Sequence, residues 1–270
     1  MSVRALTDLR GRIAVVTGAA GLIGKAHCEA LAEAGATVIA CDLDGDAADA
    51  VAKHLEGDHV GMAIDITNAA SIKQVSDETH DCFGRVDILV NNAAMNDMVE
   101  HPTLAAELSR FERYPVDMWR RVIDVNVTGM FLCCQIIGST MAERGKGSII
   151  NVASTYGIVA PDQSLYKAPD GTQRFYKSAA YPVSKAAVIM LTKYLATYWG
   201  DRSVRVNTLS PGGVENGQDP HFIQQYVRKT PLGRMANSTD YQGALLYLAS
   251  DASAYMTGHN LVVDGGWTAW

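Results

Sequence analysis

Several features that would mark a secreted, membrane-spanning or nucleic-acid-binding protein are missing from this sequence of 270 residues. No run of about 18 apolar residues occurs, so we expect no membrane span. The first residues, MSVRALTDLRGR, lack the apolar core of a signal peptide. The net charge of −6 argues against nucleic acid or an anionic membrane as the main partner. We therefore expect a cytoplasmic protein that binds small molecules.

Cysteine and histidine are also scarce. The five cysteines are odd in number and form no C-x-x-C pair, and most lie in apolar segments. This pattern favours reduced, buried thiols over a disulfide framework. The seven histidines show no ligand-like spacing, so we predict no metal site.

Short apolar runs rich in valine and isoleucine alternate with helical patterns along the whole chain. Hydrophobic residues make up 48% of the chain and charged residues 19%, which permits a sizeable buried core. Strands that are apolar throughout are typical of a parallel sheet covered on both faces. We predict one α/β domain over 1–270, a doubly wound, Rossmann-type sheet with about seven strands: 12–17, 37–42, 59–65, 86–92, 147–154, 204–210 and 260–265.

Helical patterns fall between these strands, and two segments interrupt the alternation. The segments near 95–116 and 160–180 have no clear periodicity, and we interpret them as inserted loops. Long loops in a compact domain often carry function. The predicted helices span 23–34, 68–82, 117–142, 181–199 and 238–250.

A glycine-rich turn, VTGAAGLIG, follows the first strand and opens a helix. Backbone N–H groups and the positive end of a helix in such a turn favour a pyrophosphate, and glycine side chains leave room for it. The spacing of Gly18, Gly21 and Gly24 is G-x-x-G-x-x-G, whereas the common dinucleotide fingerprint is G-x-G-x-x-G. The plainer alternative is a tight strand-to-helix turn without a ligand.

Two aspartates follow the next two strands. Asp42 comes 18 residues after Gly24, where a carboxylate can accept hydrogen bonds from ribose hydroxyls and would repel a 2′-phosphate. This position favours NAD and makes NADP the weaker alternative. Asp65 is placed to meet the adenine edge, although an aspartate at a strand end is often only a helix cap.

The chain holds one Y-x-x-x-K pattern, YPVSK. On a helix, Tyr181 and Lys185 share a face. A lysine ammonium close to a phenol lowers the pKa of the tyrosine, which can then act as a general acid or base. Alone, the pattern is common and would more often be a surface pair.

Other motifs in the chain make the YPVSK pattern specific. The motifs TGAAGLIG, VDILVNNAA, VIDVNVTG, GSIINVAS, YPVSK, VRVNTLSPGG and LVVDGG follow in order over nearly the whole chain. In this order they resemble the short, single-domain branch of the short-chain dehydrogenase/reductase family. The resemblance implies an NAD(P)-dependent oxidoreductase that interconverts a secondary alcohol and a ketone. Two alternatives stay open: a sugar epimerase or lyase that uses bound NAD transiently, and an inactive NAD-binding regulator.

The resemblance also assigns roles to residues. Tyr181 would be the acid–base residue, Lys185 would hold the nicotinamide ribose, Ser154 would polarise the reacting oxygen, and Asn126 would anchor a water leading to Lys185. Asn91 and Ala93 match the family's NNAG strand end. The implied cofactor-binding residues are Gly18, Gly21, Leu22, Ile23, Gly24, Asp42, Asp65, Ile66, Asn92, Ala93, Tyr181, Lys185, Pro211, Gly212 and Val214.

The chain departs from the family in the length between Ser154 and Tyr181, which is 27 residues and roughly twice the usual spacing. The resulting insert carries aromatic side chains and basic ones, among them Arg174 and Lys177, which suit a hydroxylated or anionic substrate. Alternatively, the insert packs on a neighbouring subunit. A looser similarity to enzymes of flagellin-modifying, sialic-acid-like sugar pathways also favours a carbohydrate substrate.

The resemblance further implies a lid and an oligomer. The segment 213–230 would form a lid over the substrate, with the insert as the opposite wall. The apolar helices at 117–142 and 181–199 would pair in a homodimer or homotetramer. Trp267 and Trp270 near the C-terminus suggest a further contact with another subunit.

Overall fold

Seven parallel strands form one sheet in the computed structural model, which describes residues 2–97, 107–173 and 175–270. The spatial order is β3-β2-β1-β4-β5-β6-β7, and every neighbouring pair is parallel. The prediction of a doubly wound, seven-stranded sheet is therefore confirmed. The strands are β1 Ile13–Thr17, β2 Thr37–Asp42, β3 Val60–Ala63, β4 Ile88–Asn91, β5 Gly147–Val152, β6 Val204–Pro211 and β7 Asn260–Val263.

Helices cover both faces of the sheet. Each predicted helix is found, with its ends shifted by a few residues. Three further helices were not predicted: the short Val3–Leu6, then Gly45–His54, which is rich in alanine and aspartate, and Pro220–Arg228, which lies in the segment interpreted as a lid. The helices are α1 Val3–Leu6, α2 Leu22–Glu33, α3 Gly45–His54, α4 Ala69–Phe83, α5 Val116–Arg144, α6 Ala180–Trp199, α7 Pro220–Arg228 and α8 Gln242–Ala249.

The two faces of the sheet build two separate cores. β1 is buried at all five positions, because helices cover it on both sides. Side chains of Val15 and Ile39 belong to the core under α4, α5 and α6, whereas Val16 and Val38 belong to the core under α2 and α8. All five cysteines are free, and four of them are buried.

Helix α5 is long and apolar enough to cross a membrane by length and composition alone. In the fold, 44% of its most apolar window is buried. Met130, Cys133, Ile137 and Met141 contribute to the core beside the sheet. The core helix of a globular domain has this same composition.

The strand order reverses at β1, because β2 and β4 pair with β1 on its two opposite sides. The crossover connections leave in opposite directions from this point, so a crevice opens at the carboxyl ends of β1 and β4. The glycine turn follows β1, and the NNAA motif ends β4. Both motifs therefore lie at the edge of the sheet where ligands bind in doubly wound folds.

One buried side chain in α2 has no polar partner. His27 is fully buried, and neither of its ring nitrogens has a hydrogen-bond partner among the described residues. Burial lowers the pKa of His27 to about 4, because the charged imidazolium would be desolvated. The unfolded chain therefore binds a proton at this residue at a higher pH than the folded chain does.

We predict that His27 makes the protein less stable as pH falls from about 6.5 to about 4. The pKa difference corresponds to about 3 kcal/mol of unfolding free energy over this window. His27→Leu should lose less stability over the same range in urea unfolding at a series of pH values. His54→Gln, an exposed site, controls for the loss of an imidazole. Parallel stability curves for wild type and His27→Leu would contradict this prediction.

Candidate active site

A cavity of about 850 Å³ opens at the carboxyl ends of the strands around the reversal of strand order. Its walls come from the glycine turn, the ends of β2, β4, β5 and β6, and the start of α6. Most of the residues singled out from the sequence line it together. They are Gly18, Gly21, Leu22, Ile23, Asp42, Asp65, Ile66, Asn92, Ala93, Ser154, Tyr181, Lys185, Pro211, Gly212 and Val214.

A different physical reason explains the presence of glycine at each of the three positions of the turn. Gly18 has a φ of +65°, and a Cβ there would lie 2.7 Å from the Cα of Ala93. Gly21 is the N-cap of α2 and supplies no side-chain cap. Gly24 does not line the cavity, contrary to its predicted place in the cofactor site: a Cβ there would lie 2.1 Å from the carbonyl oxygen of Gly18. Gly24 thus lets the helix pack on the turn.

The N-terminus of α2 faces the cavity. Because Gly21 gives no side-chain cap, the first N–H groups of the helix have no capping acceptor from that residue. The side chains of Leu22 and Ile23 line the same wall, and Leu22 is partly exposed. A helix start of this kind can hold a pyrophosphate through its backbone and its dipole.

Two aspartates line the cavity beyond the glycine turn. The Oδ2 atom of Asp42 accepts a hydrogen bond of 2.9 Å from the N–H of Ala20, which ties the end of β2 to the turn. Asp65 accepts hydrogen bonds from the N–H and the hydroxyl of Thr67 through one oxygen, Oδ1. Asp65 therefore closes a local turn as well as lining the cavity.

The asparagines at the end of β4 have different surroundings. Asn92 lines the cavity, and its Nδ2 donates to the carbonyl oxygens of Thr17 and Gly18, at 3.2 and 2.9 Å. Asn91 is buried, and its Nδ2 donates to Oδ1 of Asn151 at 2.8 Å. The prediction that Asn91 lies beside the cofactor is wrong, because alternate residues of a strand point to opposite faces.

Ser154, Tyr181 and Lys185 meet at the other end of the cavity. Nζ of Lys185 lies 5.7 Å from the centre of the Tyr181 ring and donates to the carbonyl oxygen of Val152 at 2.9 Å. Burial raises the pKa of Tyr181, and its hydrogen bond with Ser154 lowers it. Burial also lowers the pKa of Lys185 to about 8. The predicted lowering of the tyrosine pKa by Lys185 is therefore not the dominant effect here, since desolvation outweighs it.

Asn126 lies in a π-helical turn within α5 and does not line the cavity. Its side chain is fully buried, accepts from the N–H of Met95 at 2.7 Å and donates to the carbonyl of Met95 at 3.0 Å. It also donates to Oγ of Ser184 at 3.0 Å, which in turn donates to the carbonyl of Tyr181 at 2.7 Å. Both N–H groups of the amide are therefore used within the protein, and the predicted water-anchoring role of Asn126 stays a prediction.

The insert reaches the cavity at three described positions. Tyr166, Phe175 and Lys177 line it, and Tyr166 contacts Phe175 with ring centres 5.1 Å apart. Nζ of Lys177 donates to Oδ1 of Asn96 and lies 4.5 Å from the centre of the Tyr181 ring. Arg174 lies outside the described residues, as does part of the other predicted insert near 95–116.

The insert packs directly against the lid segment, and both segments line the cavity. The ring centres of Tyr166 and Phe222 are 5.5 Å apart, and Asp162 forms an ion pair with Lys229. The insert and the lid segment therefore form one continuous cover over the end of the cavity that holds Ser154, Tyr181 and Lys185, which we call the catalytic end. The helix α7 within the lid begins at Pro220, directly after its N-cap residue Asp219.

Three aromatic residues of the site were missed from the sequence. Tyr156, Phe222 and Tyr226 line the cavity at the catalytic end. Trp267 stacks on Tyr226 with ring centres 4.2 Å apart and is buried in its own chain. The prediction of a subunit contact through Trp267 is thus wrong, while Trp270 is exposed.

Comparison with known proteins places the chain in a family. A family model described as enoyl-(acyl carrier protein) reductase matches residues 18–268. With this match over most of the chain, and with the relatives below, the protein belongs to the short-chain dehydrogenase/reductase family. Members of this family bind a nicotinamide dinucleotide, and the protein is an oxidoreductase that acts on CH–OH groups.

Several of the similar proteins are named as polyol or sugar-acid dehydrogenases. D-threitol dehydrogenase of Mycolicibacterium smegmatis is 38% identical over 96% of this chain and 94% of its own length. NAD-dependent glycerol dehydrogenase of Listeria innocua is 33% identical over 97% and 95%. The crystal structure of a gluconate 5-dehydrogenase from Burkholderia cenocepacia J2315, in complex with NADP and tartrate, is 30% identical, with a TM-score of 0.85 and full coverage of both chains. These relatives do not favour the epimerase, lyase or regulator alternatives.

Proposed function

We propose that the protein oxidises a secondary hydroxyl of a polyol or sugar derivative to a ketone with NAD, or catalyses the reverse reduction. The observation that carries this proposal is that one cavity has a helix start and carboxylates at one end and Ser154, Tyr181 and Lys185 at the other. Its volume of about 850 Å³ suits a dinucleotide and a small substrate side by side. The names of the relatives support a polyhydroxylated substrate.

The charges at the adenosine end support NAD over NADP. Asp42, Asp44 and Asp65 line this part of the cavity, and the residue after Asp42 is an exposed leucine, Leu43. A 2′-phosphate would lie close to the carboxylate of Asp42 and be repelled, whereas ribose hydroxyls can donate to it. Lysine and arginine are absent from the described lining of this end. One relative is named for NAD, and the gluconate 5-dehydrogenase holds NADP.

The residues at the catalytic end supply the proton chemistry. A nicotinamide dinucleotide held in this cavity would provide the acceptor of the hydride in oxidation and the donor of the hydride in reduction. In oxidation the phenolate oxygen of Tyr181 takes the proton from the substrate hydroxyl as general base, and in reduction the Tyr181 hydroxyl gives a proton to the ketone oxygen as general acid. Oγ of Ser154 donates a hydrogen bond to the reacting oxygen, and Lys185 contributes positive charge beside the tyrosine.

Asn126 supports this arrangement from below the cavity. Through Ser184 it reaches the carbonyl of Tyr181, and through both bonds to Met95 it fixes the segment after β4. We assign it a positioning role, since its side chain is committed to these contacts.

The outer face of α6 supports a homodimer or homotetramer. Val183, Met190, Tyr194 and Tyr198 lie on this helix and are each about half exposed or more. Spacings of three, four and seven residues put apolar side chains on one face of a helix, and a surface of this kind marks an interaction site. We propose that a second copy of the chain covers it.

We predict that Tyr181→Phe lowers kcat by about 10²- to 10⁴-fold, because the proton-transferring hydroxyl is lost. The affinity for NAD should change little. A panel of polyols, sugars and sugar acids, followed by NADH absorbance, identifies a substrate and then compares the variant. Tyr194→Phe, on the same helix, is the control and should keep wild-type turnover. Near-normal kcat in Tyr181→Phe would refute the proposed chemistry.

We predict that Asp42→Asn narrows the preference for NAD over NADP by about tenfold or more. The asparagine keeps an oxygen for the N–H of Ala20 but removes the charge that repels a 2′-phosphate. Calorimetric titration of both cofactors gives the two dissociation constants. Asp46→Asn, an exposed neighbour outside the cavity lining, should leave both unchanged. Wild-type protein that binds NADP as tightly as NAD would overturn the assignment.

We predict that Met190→Glu reduces the oligomeric state, because a carboxylate buried at an apolar interface is strongly unfavourable. Light scattering at micromolar concentration should show a dimer or tetramer for wild type and a smaller species for the variant. Ala50→Glu places the same charge at an exposed position of α3 and should not change the oligomeric state. A monomeric wild-type protein would contradict the proposed interface.

A further inference from the structure

The insert brings a second lysine to the face of Tyr181. Nζ of Lys177 lies 4.5 Å from the centre of the tyrosine ring, closer than Nζ of Lys185 at 5.7 Å. The Lys177 side chain is only 6% exposed, and it lines the cavity at its catalytic end. An ammonium group at this distance from an aromatic face is in the range of a cation–π contact.

Several hydrogen bonds fix the position of Lys177 in the fold. The side-chain amide of Gln163 makes two hydrogen bonds to the backbone of Lys177. Its Oε1 accepts from the N–H of Lys177 at 2.9 Å, and its Nε2 donates to the carbonyl oxygen of Lys177 at 3.0 Å. The next residue, Ser178, donates to Oδ1 of buried Asp97 at 2.9 Å. With Nζ donating to Asn96, the lysine is held by the insert on one side and by the segment after β4 on the other. A side chain so constrained is preorganised.

Burial alone disfavours the phenolate that the reaction needs. It raises the pKa of Tyr181, and Lys185 uses one of its donors on the carbonyl of Val152. A nearby cation attracts the ionised phenolate much more strongly than the neutral phenol, so it lowers the free energy of the ionised form. Lys177 is placed to provide this attraction.

We propose that Lys177 is a positioning residue for proton transfer, with an ammonium group that stabilises the phenolate of Tyr181 alongside Lys185. The proposal rests on the acid–base role given to Tyr181 above. It makes the insert a part of the catalytic machinery, beyond its place in the substrate wall.

The other titratable groups around Tyr181 do not supply this charge. Among the described residues these are Lys185 on the same helix, Tyr156 after β5 and Tyr166 in the insert, both of which act electrostatically on Tyr181. Burial raises the pKa of both tyrosines, that of Tyr166 to about 12, so they are neutral at working pH. Asp162 lies beyond them and is paired with Lys229.

The test measures the ionisation of Tyr181 without turnover. Tetranitromethane nitrates the phenolate form of tyrosine, so the nitration rate of the Tyr181 peptide, followed by mass spectrometry against pH, gives the pKa of this residue. Charges about 5 Å apart in a medium with an effective dielectric constant of about 20 shift a pKa by about two units. We expect Lys177→Met and Lys177→Gln to raise the midpoint by about one unit or more, and Lys177→Arg to retain the wild-type midpoint.

Lys167→Met is the matched control, because Lys167 is an exposed lysine of the same insert. Its nitration profile should match wild type. The acid limb of kcat/KM should move with the nitration midpoint in the Lys177 variants. A midpoint in folded Lys177→Gln equal to that of Lys167→Met would overturn the proposal, and a raised KM in that case would make Lys177 a substrate-binding group. Nitration needs no substrate. If no polyol in the activity panel were oxidised, the proposed function would be rejected, but the nitration midpoints would still test the role of Lys177.

Discussion

The site depends on a close backbone contact between the glycine turn and the end of β4. Gly18 approaches Ala93 so closely that a Cβ at Gly18 would lie 2.7 Å from its Cα, and Asn92 bonds the carbonyl of Gly18 across the gap. The chain then runs on to Met95, which is held by Asn126. From Asn126, hydrogen bonds continue through a serine on α6 to the carbonyl of Tyr181. The glycine turn is thus connected to the proposed acid–base residue by consecutive contacts, so the position of the turn constrains the position of Tyr181.

At the end of the cavity that holds Ser154, Tyr181 and Lys185, burial changes which charged forms are favoured. Burial raises the pKa of Tyr181 and lowers the pKa of Lys185 to about 8, so both ionised forms are less favoured there than in water. The partners are local: Ser154 bonds the tyrosine, the carbonyl of Val152 accepts from Lys185, and Lys177 lies over the ring. In a site shielded from water these interactions are stronger than they would be at a surface. The cover made by the insert and the lid therefore affects the chemistry as well as access.

The sheet and the catalytic pair were predictable because each leaves a periodic signal. Strands buried on both faces appear as continuous apolar runs, and Tyr181 and Lys185 are separated by one helical turn. The contacts of Asn126 were not predictable, since a motif gives a residue type but not the partners of its amide. Likewise, no local pattern joins Tyr166 to Phe222 or Trp267 to Tyr226, which are distant in sequence and meet only through the folded cover.

The two ends of the cavity are built by different parts of the chain. The cofactor end comes from strand ends and a helix start, whose positions follow from the order of the sheet. The substrate end comes from the insert, the lid and the C-terminal segment: Trp267 stacks on Tyr226, whose hydroxyl accepts the N–H of Gly213 at the base of the lid. These segments can vary in length and composition without disturbing a strand. That separation is consistent with similar chains being named for threitol, glycerol and gluconate, and we propose that the determinants of this protein's substrate lie in the cover.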